Sequence, residues 1–173
     1  TCDKNGVING TPMNVPYIDS CDLDLKFKYK ITGELWGMIR TDVMREFPFP
    51  IVAGYHFYPE SIIWNTVGRK YKSRYINKAL RYYINDQENA VTNVGRKNAA
   101  KEKYPMHLHY INDCWDYRKY NRKRYLEHIV AITRDGMANN YTPKEIRKMV
   151  NPGIRRFLVT LLSPMGIILY KRS

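Results

Sequence analysis

GYHFYPESIIWNTVGRKYKSRYIN (Gly54–Asn77) joins an aromatic loop, a helix signal and a strand signal without a gap. Pro59-Glu60 stands just before an apolar run. Ile62, Ile63, Val67 and Tyr71 fall near a 3.6-residue spacing, so a helix burying one face is predicted. Gly68 lowers helix propensity, and the basic run Arg69–Lys72 suits a helix C-terminus. Glu60 then occupies the first turn, where backbone N–H groups and the helix dipole favour negative charge. A carboxylate held there can take a proton from a nearby hydroxyl, which is the work of a general base. A helix-capping glutamate without chemistry is the competing reading, and spacing alone does not separate the two.

Working outward, the chain has 173 residues, 44% hydrophobic and 13% aromatic, enough for one core-forming domain with an appendage. Fifteen tyrosines against five phenylalanines imply aromatic contacts with polar edges, as in ligand grooves or wet interfaces. The net charge of +13 favours anionic partners, and most of the excess lies in Arg69–Arg81 and from Arg96 onward. Cys2, Cys21 and Cys114 are scattered and contain no CxxC, so they read as free thiols in a reducing compartment. No signal-peptide pattern and no apolar run of spanning length occurs.

Residues 1–20 read as loop and turn, with a brief pairing of Val7-Ile8. Asp22-Leu23-Asp24 spells a D-x-D string of the kind that holds a divalent metal, but it lacks the usual apolar strand before it and reads as solvated loop. Leu25–Ile31 alternates apolar residues with lysine and predicts a half-buried edge strand. Glu34–Arg40 reads as a short strand in which Gly37 marks a close approach, and Thr41 as the cap of a helix through Phe47. Ser73–Asn77 and Leu80–Ile84 read as strands, and Asn85–Asn93 as polar loop. Beyond residue 93 the patterns are helical and basic, interrupted at Tyr104-Pro105 and Asp113. Tyr117–Arg134 reads as one helix with Tyr125, Ile129 and Ile132 on one face. Thr142-Pro143-Lys144-Glu145 has capping-box spacing with proline at the first helical position. Ile154–Leu162 is an amphipathic helix broken by Ser163-Pro164-Met165-Gly166. The expected class is therefore mixed α/β, with a sheet-containing part at residues 1–93 and a basic helical extension at 94–173.

The series ELWGMIRTDVMREFPFP, YHFYPESIIWNTVGRKYKSRYIN and LRYYINDQENAVTN resembles the C-terminal portion of glycosyltransferase family 2 enzymes of GT-A fold. The resemblance rests on the order and spacing of motifs through residue 93, and more loosely on the closing apolar turn and basic tail at Leu161–Arg172. It implies transfer of a sugar from a nucleotide diphosphate donor to a hydroxyl of a glycan or lipid-linked acceptor, with inversion, in cell-surface polysaccharide synthesis. It implies Glu60 as catalytic base and Trp36, Arg40, Phe57, Tyr58 and Trp64 on the acceptor side. Core packing competes for Trp36 and Trp64, and a structural ion pair competes for Arg40.

The family's nucleotide-binding half and its aspartate-rich metal motif have no counterpart in this chain. The chain, which begins at Thr1, is thus expected to be a processed chain or a piece of a larger protein, inactive alone. The Mg or Mn ion of the complete enzyme is expected to find its ligands outside it. Missing sheet partners imply self-association through an open edge.

Arg155, Arg156, Lys171 and Arg172 flank the apolar stretch Ile154–Tyr170, which suits either peripheral contact with the inner face of an anionic membrane or simple packing on the core. The expected location is cytoplasmic. His107, His109 and His128 lack metal-site spacing and read as exposed or hydrogen-bonded histidines. The alternative to the enzyme is a non-enzymatic basic module for nucleic acid or an anionic membrane. Tyrosine–arginine interleaving at Tyr117–Tyr125 favours it, but no nucleic-acid-binding signature occurs, and no nucleic-acid partner is expected on the enzyme reading.

Overall fold

The computed structural model describes residues 1–53, 55, 58–84 and 96–172. It is a mixed structure, mostly helical with one small antiparallel sheet. Two compact units appear, one of residues 1–51 and 60–93, the other of residues 52–59 and 94–173.

The first unit holds β1 (Tyr17–Ser20), α1 (Thr41–Glu46), α2 (Glu60–Lys70) and β2 (Ser73–Ile76). β1 and β2 pair antiparallel with Tyr17 opposite Ile76 and Ser20 opposite Ser73. Across this ladder Arg74 grips Asp19 with two bonds of 2.7 and 2.6 Å and lays its guanidinium over the Tyr17 ring. Those hydrogen bonds hold the Asp19 carboxyl below the usual carboxylate range. α2 buries Ile63 and Val67, the face expected from the spacing, together with Asn65. A side chain at Gly68 would bring its Cβ to 2.9 Å from Cys21 Cβ, so the glycine that weakens the helix is what lets α2 approach the chain beside β1. α1 closes on the end of α2: Glu46 accepts hydrogen bonds from Lys70 and from the Tyr71 hydroxyl, and Phe47 meets the Tyr71 ring edge-on.

Several local readings are corrected. Leu25–Ile31 forms no strand; Asp24–Lys28 is a wide π-helical turn in which Tyr29 N–H reaches Asp24 O. It buries Leu23, Leu25, Phe27 and Ile31 together, while Tyr29 faces out, and Lys30 ends it at φ 58°. The alternation is therefore that of a turn wrapped over a core, a pattern that short apolar runs share with strands. Glu34–Arg40 is not a strand. The backbone approach in this region occurs one step earlier, where Gly10 and Gly33 cross at positive φ and a Cβ on either would lie 2.2 Å from the other segment's carbonyl oxygen. Thr41 is the first helical residue of α1, with extended Arg40 at the cap position. Leu80–Ile84 contributes a single bridge, Tyr82 to Cys2, and Cys2 also bridges Ile8. The loop read at Asn85–Asn93 lies outside the described residues.

The second unit is helical: α3 (Arg96–Asn112), a 3-10 turn at Trp115–Lys119, α4 (Arg122–Ala138), α5 (Pro143–Met149) and α6 (Ile154–Lys171). α4 lies between α3 and α6, and α5 packs on α4 and α6. Tyr125, Ile129 and Ile132 are all buried on α4, which starts at Arg122 because Asn121 accepts the Arg124 N–H as its cap. α5 begins with the full capping box of Thr142 and Glu145.

Two prolines do not break helices where the sequence predicts a break. Pro105 lies inside α3 and Pro164 inside α6. Pro164 cannot donate to the carbonyl of Thr160, but the Ser163 hydroxyl does so instead at 2.9 Å. The helix thus continues with that acceptor satisfied. Two residues on, Gly166 faces α4 so closely that a Cβ would sit 2.6 Å from Thr133 Cβ and 2.7 Å from Val130 O.

Gly166→Ala is expected to destabilise the protein by about 1–3 kcal/mol from overpacking, although alanine improves helix propensity by about 1 kcal/mol. Gly37→Ala, which meets nothing within 4 Å, is the matched control and should be near neutral. Chemical denaturation of both variants checks this.

Candidate functional site

α2 is held by the burial of Ile63 and Val67, and Glu60 and Trp64 lie on the same side at helical spacing, Trp64 half-buried and Glu60 exposed at the open end of the helix. Glu60, the first residue of α2, is exposed. One turn later Trp64 donates its indole N–H to Glu60 Oε2 at 3.4 Å, a long hydrogen bond. The Phe49 ring meets Trp64 edge-on at 5.8 Å. A carboxylate, an indole and a phenyl ring therefore share one corner of the first unit. Sequence reasoning misses Phe49; its only signal is the FPFP run, which reads as a helix stop.

Among the described residues, no hydrogen bond or ring contact joins Trp36, Arg40 or Tyr58 to this corner. Trp36 is 48% exposed in an irregular segment, and its indole makes no hydrogen bond or ring contact among the described residues. Arg40 is engaged with Asp42 through two bonds of 3.1 and 2.6 Å, the structural ion pair that competes with a ligand role. Those hydrogen bonds raise the Arg40 pKa and lower that of Asp42. Tyr58 belongs to the second unit, where burial raises its phenol pKa. Phe57 lies outside the described residues.

A divalent metal does not fit the D-x-D string. Asp22 accepts the Tyr75 hydroxyl, Leu23 between the two aspartates is buried, and no group of three or more metal-ligating side chains occurs among the described residues. Tyr75 is in turn held protonated, first by burial and then by the Asp22 charge.

The helical unit contains two further titratable clusters. Cys114 Sγ lies 3.3 Å from His109 Nε2, and His109 Nδ1 lies 2.9 Å from Asp113 Oδ2. The order nucleophile, base and orienting carboxylate is that of covalent catalysis. Cys114 is only 1% exposed, however, so a substrate cannot reach its sulfur. The cluster ties the end of α3 to the turn that follows.

The second cluster spans α3 and α4. His107 Nδ1 is 2.7 Å from His128 Nδ1, and His107 Nε2 is 2.9 Å from Asp135 Oδ2. Asp135 also accepts two hydrogen bonds from Arg134, and Tyr110 stacks on His128 at 4.6 Å. With a carboxylate at one end, a neutral His107 donates from Nε2 and accepts at Nδ1, so His128 donates from Nδ1. The histidines are hydrogen-bonded, one of the two alternatives read from the sequence, but buried.

Comparison with protein families, curated proteins and solved structures finds no match to this chain. No helix among the described residues is long and apolar enough to cross a membrane.

Burial opposes ionisation of Asp135, but hydrogen bonds from His107 and Arg134 outweigh it and hold the carboxyl below its usual range. Its contribution to stability is therefore complete above the unfolded value of about 3.9 and is lost as pH falls through the lower folded value. Asp135→Ala should cost about 3–5 kcal/mol near neutrality. It should also flatten the acid limb of stability against pH, as followed by denaturant titrations at stepped pH.

Proposed function

We propose that this chain is the acceptor side of an inverting glycosyltransferase with a GT-A-like fold, of the family 2 type, in which Glu60 is the general base. The exposed Glu60 carboxylate in the first turn of α2, with the Trp64 indole against it, carries this reading. The order of sequence motifs around it supports the same family. A sugar presents an apolar face and hydroxyl edges. An aromatic corner formed by Trp64 and Phe49 suits the first, and a neighbouring carboxylate suits the second. Glu60 would accept the proton of the acceptor hydroxyl as its oxygen attacks the anomeric carbon. The nucleoside diphosphate would leave from the opposite face, which inverts the centre.

The donor, a nucleotide sugar, and its metal belong to the remainder of such an enzyme. Trp36, exposed and without a structural partner among the described residues, is a further acceptor contact on this reading. Arg40, already paired with Asp42, is the weaker of the two.

Glu60→Gln, made in the polypeptide that carries both this chain and its donor half, should lower kcat for transfer by about 10²- to 10⁴-fold. The melting temperature should stay unchanged, because the carboxylate is exposed. Undiminished transfer would remove Glu60 as the base. Titration of the chain itself with uridine diphosphate and manganese should give no one-site binding. Clear binding would mean that a donor site lies within these residues.

A further inference from the structure

α6 carries large apolar side chains on its outward side as well as on the side that packs. Its inward face toward α4 buries Val159, Ser163 and Gly166 and half-buries Leu158, Leu162 and Ile167. Its outward face holds Ile154, Phe157, Leu161, Met165 and Ile168, which are 56%, 60%, 60%, 53% and 50% exposed. The steps between them are three, four, four and three residues, so they form one stripe along the helix. At 18 residues the helix is about 27 Å long. A continuous apolar stripe of that length on a surface marks an interaction site.

Charge indicates what covers it. α6 has no acidic residue and ends in exposed Lys171 and Arg172. Leu169, on its flank, lines an open groove of about 560 Å³ with Lys103, Lys123, Arg124 and Arg134. Arg124 and Arg134 are paired with Glu127 and Asp135, whereas Lys103 and Lys123 make no ion pair among the described residues. α5, next in the packing, presents Lys144 and Lys148 at its surface. Apolar stripe and cationic border together are the composition of a helix that lies in the interface of an anionic bilayer. Close packing of Gly166 on Thr133 and Val130 fixes α6 lengthwise against α4, so it is held as a rigid face.

We propose that α6 is an in-plane membrane-binding helix. It seats Phe157, Leu161, Met165 and Ile168 at the headgroup–acyl boundary of an anionic lipid surface, with Lys171, Arg172 and the groove lysines meeting the headgroups. This stands apart from the glycosyltransferase reading and needs no catalysis to be tested.

The test is flotation of the full chain with unilamellar vesicles of phosphatidylcholine alone or mixed with phosphatidylglycerol. The chain should float with the mixed vesicles, bind pure phosphatidylcholine far less, and lose affinity as salt rises. Phe157→Ser combined with Leu161→Ser should weaken binding by at least about tenfold. The circular dichroism and melting of that variant should stay close to wild type, since both positions are exposed. Phe157→Trp should show a blue-shifted emission on adding mixed vesicles. Lys171→Glu with Arg172→Glu should lower binding to the anionic vesicles while leaving the apolar face intact. Absence of flotation, or equal flotation of the serine variant, overturns the proposal. So does sedimentation showing a dimer that the serine variant dissolves while vesicle binding is absent, because the face then belongs to a second copy of the chain.

Discussion

The helical unit depends on how closely α4 lets its neighbours approach. On one side Gly136 accepts the Ile146 side chain and the Tyr104 ring, each so near that a Cβ would overlap them. On another side Gly166 of α6 lies against Thr133 and the carbonyl of Val130. Distances this short leave no room for water, and although the buried Thr133 hydroxyl has no hydrogen-bond partner among the described residues, other polar groups of α4 find partners inside the unit. His128 and Asp135 do so through His107, and Asp135 again through Arg134. Tight apolar contact and the buried polar chain therefore lie side by side on α4. Loosening the glycine contacts would admit water to Asp135, and removing Asp135 would leave His107 facing a hole.

How much of this is legible in the sequence depends on where the deciding contact lies. α2, β2 and α5 are readable because their signals are local: an apolar spacing, a bounded strand run, and a capping box with proline at its first position. The buried stripe Tyr125, Ile129 and Ile132 is readable for the same reason. Leu25–Ile31 is not, because alternation also describes a wide turn that wraps a small core. The choice between the two is made by partners far along the chain. α6 defeats a sequence reading at Ser163-Pro164. The rule that proline ends a helix assumes that the freed carbonyl stays unsatisfied, and here the residue just before the proline supplies the missing donor. The histidines give no metal spacing, yet their burial cannot be inferred, since His107 and His128 meet only when α3 and α4 pack.

At the candidate site, the position of Glu60 is set by its own helix and can be read directly. Its surroundings cannot. Trp64 is one turn away, so its hydrogen bond follows from helical geometry. Phe49 comes from before the aromatic loop and reaches Trp64 only through the tertiary fold. Arg40 shows the reverse case. An Asp two residues on gives a local alternative to ligand binding, and the local pair is the one formed. Exposed arginine with a carboxylate so near is a poor prior for a ligand contact, whereas exposed tryptophan such as Trp36 retains a large uncommitted apolar surface.

The orientation of α6 also escapes a reading by periodicity. Apolar residues at helical spacing show that a helix has an apolar side, and the ordinary inference is that this side faces the core. In the same unit α5 obeys that inference, with Ile146 buried and Lys144, Glu145 and Lys148 exposed. The first turn of α4 obeys it too, with Lys123 and Arg124 outward and Tyr125 inward. α6 obeys it on one side, with Val159 buried and Leu158 and Leu162 half-buried, and departs from it on the other, where Phe157 and Leu161 stay exposed. Backbone proximity at Gly166 fixes which side faces α4, and the second apolar stripe is then left outward. Continuity through Pro164 matters for the same reason. Two short helices could each turn their apolar residues inward independently. One rigid helix anchored at Gly166 must present Ile154 through Ile168 together, as a single apolar edge bordered by lysine and arginine.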